Sequence, residues 1–437
     1  MMSLAPSPAA EYYADNYYTA DQAADVSAWF GKAAEALGLS GKVDQQVFAD
    51  VLDGKMPDGS VIAAKNGHHR PGVDLTFSAS KSVSLLAMLG GDKRLIEALK
   101  ESVAATLIWA EKNVIEARVW DPELGRQIPE KTGNLLAATF LHDVNRNGEP
   151  QLHIHAVTAN ATLASDGKWH AVRNDQLYRS QRLLSAIHNA DLRERVEALG
   201  YETVPAKRDI DGAFEIRGVS REAVEAFSSR RAEILAALAK EDRGSARERE
   251  LAALSTRRGK DPEPDAVRQG AAWKETARAI GFDPARLIES AMHRAAGEQT
   301  VWSRVMEGMR GIGARGMAIA SAMGLTPKDE DPLVPERLGR LEPKAFAAAQ
   351  AVASAARELG EREEAFSRND LIRTALQHQG PITVAGVEAR IDLLQGRGLL
   401  IGSGASDHSR MVTTAQALAL EEKVIALAQA GMDGVQP

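Results

Sequence analysis

Cysteine is missing altogether from the 437 residues, and that absence removes disulfides, zinc–thiolate sites, thiol nucleophiles and iron–sulfur clusters together. Any metal must be bound by His, Asp, Glu or backbone oxygen. Aromatic residues make up only 5% of the chain, so a local cluster of them carries information. No stretch approaches the roughly 18 uninterrupted apolar residues of a membrane span. The opening MMSLAPSPAAEYYADNYY lacks the basic and apolar regions of a signal peptide, so the expectation is a cytoplasmic protein without membrane insertion. A Gly-x-x-x-x-Gly-Lys-Ser/Thr phosphate loop is also absent, which leaves nucleotide hydrolysis unsupported.

The length and a hydrophobic content of 44% suffice for two or three domains with proper cores. A net charge of −7 argues by itself against a nucleic-acid partner. Basic residues nevertheless gather locally, in Arg230-Arg231, from Arg243 to Arg249 and in Arg257-Arg258-Gly259-Lys260. Such clusters are either solvated helix faces or a grip on a phosphate backbone inside an acidic protein.

Along the chain, Trp29, Phe30, Ala33, Ala34 and Leu37 recur at three-to-four spacing, which predicts a helix within 20–52 and a stop at Gly38. The alternating run Gly72 to Phe77 predicts a strand, and Ser78-Ala79-Ser80-Lys81-Ser82 opens a helix to about Leu89. A long amphipathic helix is expected over 93–117. Asn134 to His142 and Leu152 to Leu163 read as strands around the turn Asn145-Arg146-Asn147-Gly148, which makes a β-hairpin. A helix over 175–199 ending at Gly200 and a short hairpin around Asp211-Gly212 follow. Residues 219–300 read as charged helices, and 310–345 as a linker rich in Gly, Pro and acidic residues. After it come an Ala-rich helix over 343–378 and a helix-then-strand pattern from Ile382 to Leu400 that resembles a winged-helix unit. Strands interspersed with helices on this scale indicate an α+β fold, a sheet packed by helices on one side.

Three of the ten histidines are candidates to carry the chemistry; a lone His-x-His is more often two surface or core histidines, and a third on the same hairpin favours a metal site over that reading. His153 and His155 are two apart in an alternating strand, so both project from one face. His142 ends the partner strand, and the turn folds it back toward them. Three neutral imidazoles would leave a divalent ion open positions for substrate oxygen. Without thiolates, magnesium or manganese suits the site, and zinc or nickel would also be accommodated in vitro. Four of the six tyrosines, Tyr12-Tyr13 and Tyr17-Tyr18, fall near the N-terminus. They are either aromatic staples for the first helix or phenol nucleophiles, which need a base or a nearby cation to reach the phenolate. A tyrosine cluster with a three-histidine centre points to transesterification on a phosphodiester. Asp74, an acid in a strand, would orient an imidazole, accept the tyrosine proton, or serve only as a local hydrogen-bond acceptor.

These stretches resemble the motif set of the conjugative relaxases of the TraI/TrwC class, the MobF family of HUH endonucleases. The matching segments are the two tyrosine pairs at 12–18, HRPGVDLTFSASKSVS at 69–84, LGGDKRL at 89–95, TGNLLAATFLHDVNRNGEPQLHIHAVTANAT at 132–162, EALGYET at 197–203, and FSSRRAEI with LSTRRGK within 227–260. The resemblance covers about residues 1–290 and implies an antiparallel palm-like sheet with flanking helices, followed by a mainly helical C-terminal region. It implies that His142, His153 and His155 bind the metal, that Tyr12 makes the initial nick, and that Tyr17 makes a second cleavage or the terminating transfer, with Tyr13 and Tyr18 completing the pairs. Asp74 would be the base or the histidine-orienting group. Arg70, Lys81, Arg146, Arg230, Arg231, Arg257 and Arg258 would contact the hairpin and single strand of an origin of transfer. Relaxosome accessory proteins and a type IV secretion coupling protein are implied as partners of a monomer, which would act in the donor and pass with the DNA to the recipient.

The implied organisation is a relaxase domain over 1–300, a linker over 301–344, and over 345–437 a winged-helix-like start of a helicase-like region without a phosphate loop. The expectation is therefore a fragment or naturally short form of such a protein. Two departures stand out. The spacer Ala14-Asp15-Asn16 is shorter than the family pattern, and Ile187-His188-Asn189 occupies the place of a Tyr-Arg. The rival readings are a rolling-circle replication initiator, with the same chemistry at a different origin, and a DNA-binding regulator with a vestigial centre.

Overall fold

The computed structural model describes residues 2–6, 27–62, 69–207, 210–240, 266–295, 333–334, 341–378, 380–403 and 411–434. Its centre is a five-stranded sheet in the order β1-β3-β7-β6-β2. The strands are β1 (Met2–Pro6), β2 (Ser27–Phe30), β3 (Gly72–Ser78), β6 (Ala137–Val144) and β7 (Pro150–Ala159). Every pairing is antiparallel. Two-stranded pairs lie apart from it: β4 (Glu116–Asp121) with β5 (Arg126–Lys131), β8 (Thr162–Leu163) with β9 (Trp169–His170), and β10 (Thr203–Pro205) with β11 (Phe214–Ile216).

Alternation along the central strands assigns the two faces. Val73, Leu75, Phe77, Leu152, Ile154 and Ala156 are buried. On that side the helices Lys81–Met88 and Lys93–Asn113 pack against β7, and Phe77 meets the ring of His188 on the helix Asn174–Ala198 at 5.2 Å. Among the described residues, the opposite face is covered at one end. There Phe48, on the helix Gln45–Leu52, stacks edge-on against Trp29 and Phe140 at 6.1 and 5.4 Å. Beyond that cover the same face carries Asp74, Thr76, His142, His153 and His155, all partly exposed.

The first predicted helix is corrected in part. Trp29 and Phe30 lie in β2, paired with Ala138 and Ala137 of β6, and the helical spacing belongs to a half-buried edge strand followed by the short helix Lys32–Ala36. Gly31 forces the break. Its φ is +102°, and a Cβ there would lie 2.1 Å from the Leu135 carbonyl oxygen. Gly38, with φ at 69°, follows the end of that helix as expected. The helix from 93 stops at Asn113, because Ile115 turns into β4, where cross-strand pairing with β5 replaces helical hydrogen bonds. The β-branched pair Val114-Ile115 suits that change. The helix from 81 begins at a Ser80 cap whose hydroxyl accepts from Val83 N.

The chain forms two compact units, one of Met1–His188, Arg195–Val204 and Phe214–Arg294, and a second of Asn189–Glu194, Pro205–Ala213 and Ala295–Pro437. In the second, the expected single helix over 343–378 is two helices, Pro343–Gly360 and Arg368–Gln377, separated by the short strand β12 (Phe366–Ser367). Ser367 breaks the pattern by capping the second helix at Asp370 N. The helix Val384–Gly396 follows, then β13 (Leu400–Gly402) and β14 (Met411–Thr414), in a three-stranded sheet ordered β12-β14-β13. Ala348, Ala349, Ala351, Ala353, Ala355 and Ala356 are buried along Pro343–Gly360, small side chains that let the neighbouring helices approach closely. Among the described residues, no helix is long and apolar enough to cross a membrane.

Candidate metal centre

The histidine cluster is a product of register. His142 of β6 lies directly opposite His153 of β7, and Thr76 of β3 lies opposite His155. Directly paired residues share a face, so the three imidazoles meet over the middle of the sheet. One ligand atom from each lies within 4.8 Å of the others, and the ring centroids are 5.0 to 5.2 Å apart. A register irregularity between His142 and Val144 interrupts the ladder just after the first of them. Bulges of this kind bend a strand and re-aim the adjacent side chain.

Hydrogen bonds select the nitrogen that each ring presents. Nδ1 of His155 donates to Asp74 Oδ2 at 2.8 Å, and Thr76 Oγ1 stands 3.2 Å from the same nitrogen. Nδ1 of His153 donates to the Gln151 carbonyl at 2.7 Å. Carboxylate and carbonyl oxygens only accept, so both tautomers carry their lone pair on Nε2. Nε2 of His142 is sealed from solvent. Three imidazole donors, two of them held by outer acceptors, fit a divalent transition-metal or magnesium-like cation of open coordination. The donor set and spacing of the cluster are those that could hold a metal ion.

Asp74, for which the sequence left several roles open, lies within hydrogen-bond distance of a ligand imidazole. Thr76, passed over in the sequence, joins it by donating to Asp74 Oδ1 at 3.5 Å. The signal was available, since Thr76 follows Asp74 at the strand period of two. Gln151 was missed for a different reason: its backbone carbonyl acts, and side-chain patterns do not report carbonyls.

The basic residues separate in space. Arg70 is exposed at the entry to β3, the end away from Ser78, which pairs with His153. Arg146 sits in the β6–β7 turn. Arg230 pairs with Glu233 at 3.2 Å, and Glu233 also accepts from Asn147 of that turn at 3.1 Å, so Arg230 is brought beside the hairpin. Arg231 is exposed on the helix Ser229–Lys240. Lys81 is directed inward, with Nζ donating to the Pro150 carbonyl at 2.7 Å. Burial pushes its ammonium down to about 8, against the opposing pull of Glu149 and Glu215. Tyr12, Tyr13, Tyr17, Tyr18, Arg257 and Arg258 lie outside the described residues. His188, where a Tyr-Arg was looked for, is fully buried; burial holds its imidazole well below the usual range, and Ser102 donates to its carbonyl at 3.0 Å.

The profile of the TrwC relaxase family matches residues 6–280. Two multifunctional conjugation proteins TraI of Escherichia coli are similar: that of strain K12 is 39% identical over 313 residues, 68% of this chain and 17% of the relative, and another is 40% identical over 301 residues. The chain thus spans about one sixth of the length of these curated relatives. Among solved structures, the metal-free complex of the conjugative relaxase TrwC with oriT DNA superposes with a TM-score of 0.59 at 36% identity, covering 65% of this chain and 100% of that one. A copper-bound complex scores 0.58 at 36% identity, and a complex with a 27-mer comprising the recognition hairpin and cleavage site scores 0.57 at 35%, with the same coverage. The extent of the family match, the antiparallel sheet and the histidines converging on its open face all agree, and the chain belongs to the TrwC relaxase family.

Proposed function

We propose that the chain nicks one strand of a plasmid origin of transfer and transfers the cut strand through a 5′-phosphotyrosyl intermediate, initiating conjugative transfer. The observation that carries this reading is the convergence of His142, His153 and His155 on one open sheet face, two of them with their tautomer held by Gln151 and Asp74. A divalent cation bound there, magnesium or manganese with zinc or nickel as substitutes in vitro, would polarise a scissile phosphate and offset the charge that develops on its oxygens.

The chain's own residues have the following parts. Tyr12 Oη attacks phosphorus as the phenol gives up its proton; the bond from phosphorus to the 3′ oxygen breaks, and that oxygen leaves as a hydroxyl once protonated. The phosphotyrosyl ester conserves the bond energy for rejoining. Tyr17 performs the second transfer, with Tyr13 and Tyr18 beside the two nucleophiles. Asp74 holds His155 in the tautomer that faces the cation. Arg70, Arg146, Arg230, Arg231, Arg257 and Arg258 supply phosphate contacts for a hairpin and single strand, as local basic groups on an acidic protein. Residues 1–300 form the nicking domain, 301–344 a linker, and 345–437 a winged-helix-like start of a helicase-like region. The protein acts as a cytoplasmic monomer with relaxosome accessory proteins and a secretion coupling protein.

The test is a single-stranded origin oligonucleotide incubated with the protein and magnesium or manganese, then run on a denaturing gel. A covalent band that Tyr12→Phe abolishes is expected. Tight binding with no such band under any metal would sink the enzyme reading in favour of a DNA-binding regulator.

A further inference from the structure

Four hydrogen bonds run from the segment 79–84 to the three residues that precede His153. Ala79 N donates to the Leu152 carbonyl at 3.0 Å, and Gln151 Nε2 donates to the Ala79 carbonyl at 3.1 Å. Lys81 Nζ donates to the Pro150 carbonyl at 2.7 Å. Leu152 N donates to Ser84 Oγ at 3.0 Å. The middle residue of the three, Gln151, holds the His153 ring through its own carbonyl. Position and tautomer of one ligand are therefore set from the start of the helix Lys81–Met88.

Lys81 is the charged member of this set. Its two acidic neighbours are Glu149, at the foot of the hairpin turn, and Glu215 of β11. Glu149 is itself anchored, accepting from Ser229 N at 2.6 Å and Asn145 Nδ2 at 2.7 Å. Burial works to raise the Glu149 carboxyl, and the hydrogen bonds from Ser229 and Asn145 overcome it and hold it below its ordinary value. Trp273 Nε1 donates to the Gly148 carbonyl at 2.9 Å, so the helix Ala266–Ala279 also grips the turn. The ammonium points inward to a backbone carbonyl rather than outward to a DNA phosphate, and its desolvation must be offset by the surrounding protein.

We infer that Lys81 is a positioning residue for the metal ligand His153, fixing the base of the β6–β7 hairpin through the Pro150 carbonyl. This rests on the metal centre proposed above. Lys81 acts through the backbone of residues 150–152 and touches neither the cation nor the DNA.

Three variants, Lys81→Met, Lys81→Gln and Lys81→Arg, test this with three readouts. In the metal-free protein, long-range nitrogen–proton NMR of labelled histidine should show one Nδ1–H tautomer for His153 in the parent and an averaged or broadened signal in Lys81→Met. Manganese affinity should fall about tenfold in Lys81→Met, the lower end of outer-partner effects on metal sites, and recover in Lys81→Arg, which keeps the cation and the donor. Oligonucleotide affinity in EDTA, and its salt dependence, should be unchanged. Lys81→Gln keeps a neutral donor and replaces Lys81→Met if that variant does not fold. Parent-like tautomer and manganese affinity in the folded variants would overturn the inference. So would weaker binding in EDTA with a salt slope reduced by about one, which would make Lys81 a phosphate contact. If the parent binds no manganese, the metal reading fails, and the His153 tautomer still judges the role of Lys81.

Discussion

Replacing Asp74 by alanine separates two roles that sequence alone leaves entangled. The carboxylate lies 2.8 Å from His155 Nδ1, with both side chains mostly shielded from water at 13% and 17% exposure. Removing an outer acceptor of this kind typically weakens a metal site by about 10- to 100-fold, roughly 1.4 to 2.7 kcal/mol. Thr76 Oγ1, 3.2 Å from the same nitrogen, is a weaker neutral acceptor that can take over. Asp74→Ala should therefore fall near tenfold, and Asp74→Ala with Thr76→Val should approach a hundredfold. Asp74→Asn, whose amide oxygen can still accept from Nδ1, should sit between the parent and Asp74→Ala. The assay is manganese affinity by competition with a chelator, beside single-turnover nicking at saturating metal. A residue that only took up the tyrosine proton would leave metal affinity intact while slowing nicking by about 100- to 10,000-fold. Parent-like manganese affinity in the double variant would refute the orienting role.

His153→Ala should abolish cleavage while oligonucleotide affinity in EDTA stays within a few fold of the parent; equal loss of both in a gel-shift titration would make the residue structural. Gly72→Ala should destabilise by about 2 kcal/mol or more in denaturant unfolding, since its φ is +149° and a Cβ would lie 2.0 Å from the Thr158 carbonyl oxygen, pushing β3 off the strand that carries two ligands. A loss near zero would mean that the two strands can part without cost. Lys81 predicts a pH dependence: its folded value of about 8 lies below the ordinary 10.5, so between them the unfolded chain binds more protons. Its contribution to stability is present in full above 10.5 and is lost as pH falls through about 8. The stability difference between the parent and Lys81→Met should move in the parent's favour from pH 8 upward, and a flat or opposite slope in denaturant midpoints would contradict it.

Much of the site was legible in the order of residues. His153 and His155 at a spacing of two, with His142 before an Asn-Gly turn, specify one face of a hairpin, because strand side chains alternate and hairpin partners oppose. The strand from Gly72, the Ser80 cap and the helix ending before Gly200 follow from equally local chemistry. Where local chemistry was ambiguous, long-range pairing decided. Trp29 and Phe30 have helical spacing yet become an edge strand, since β6 offers hydrogen bonds and Leu135 leaves no room for a side chain at Gly31. Asp74 reaches His155 across 81 residues of chain, and only the β3–β7 register makes that contact. Lys81 entered as a candidate DNA contact only through the family resemblance; its inward course depends on the carbonyl of Pro150, which no pattern of side chains encodes. Sequence thus determined which ligands the protein owns and the face they share, a matter of backbone period. Tertiary structure decided which groups stand behind those ligands, because they come from strands and carbonyls brought together only by folding.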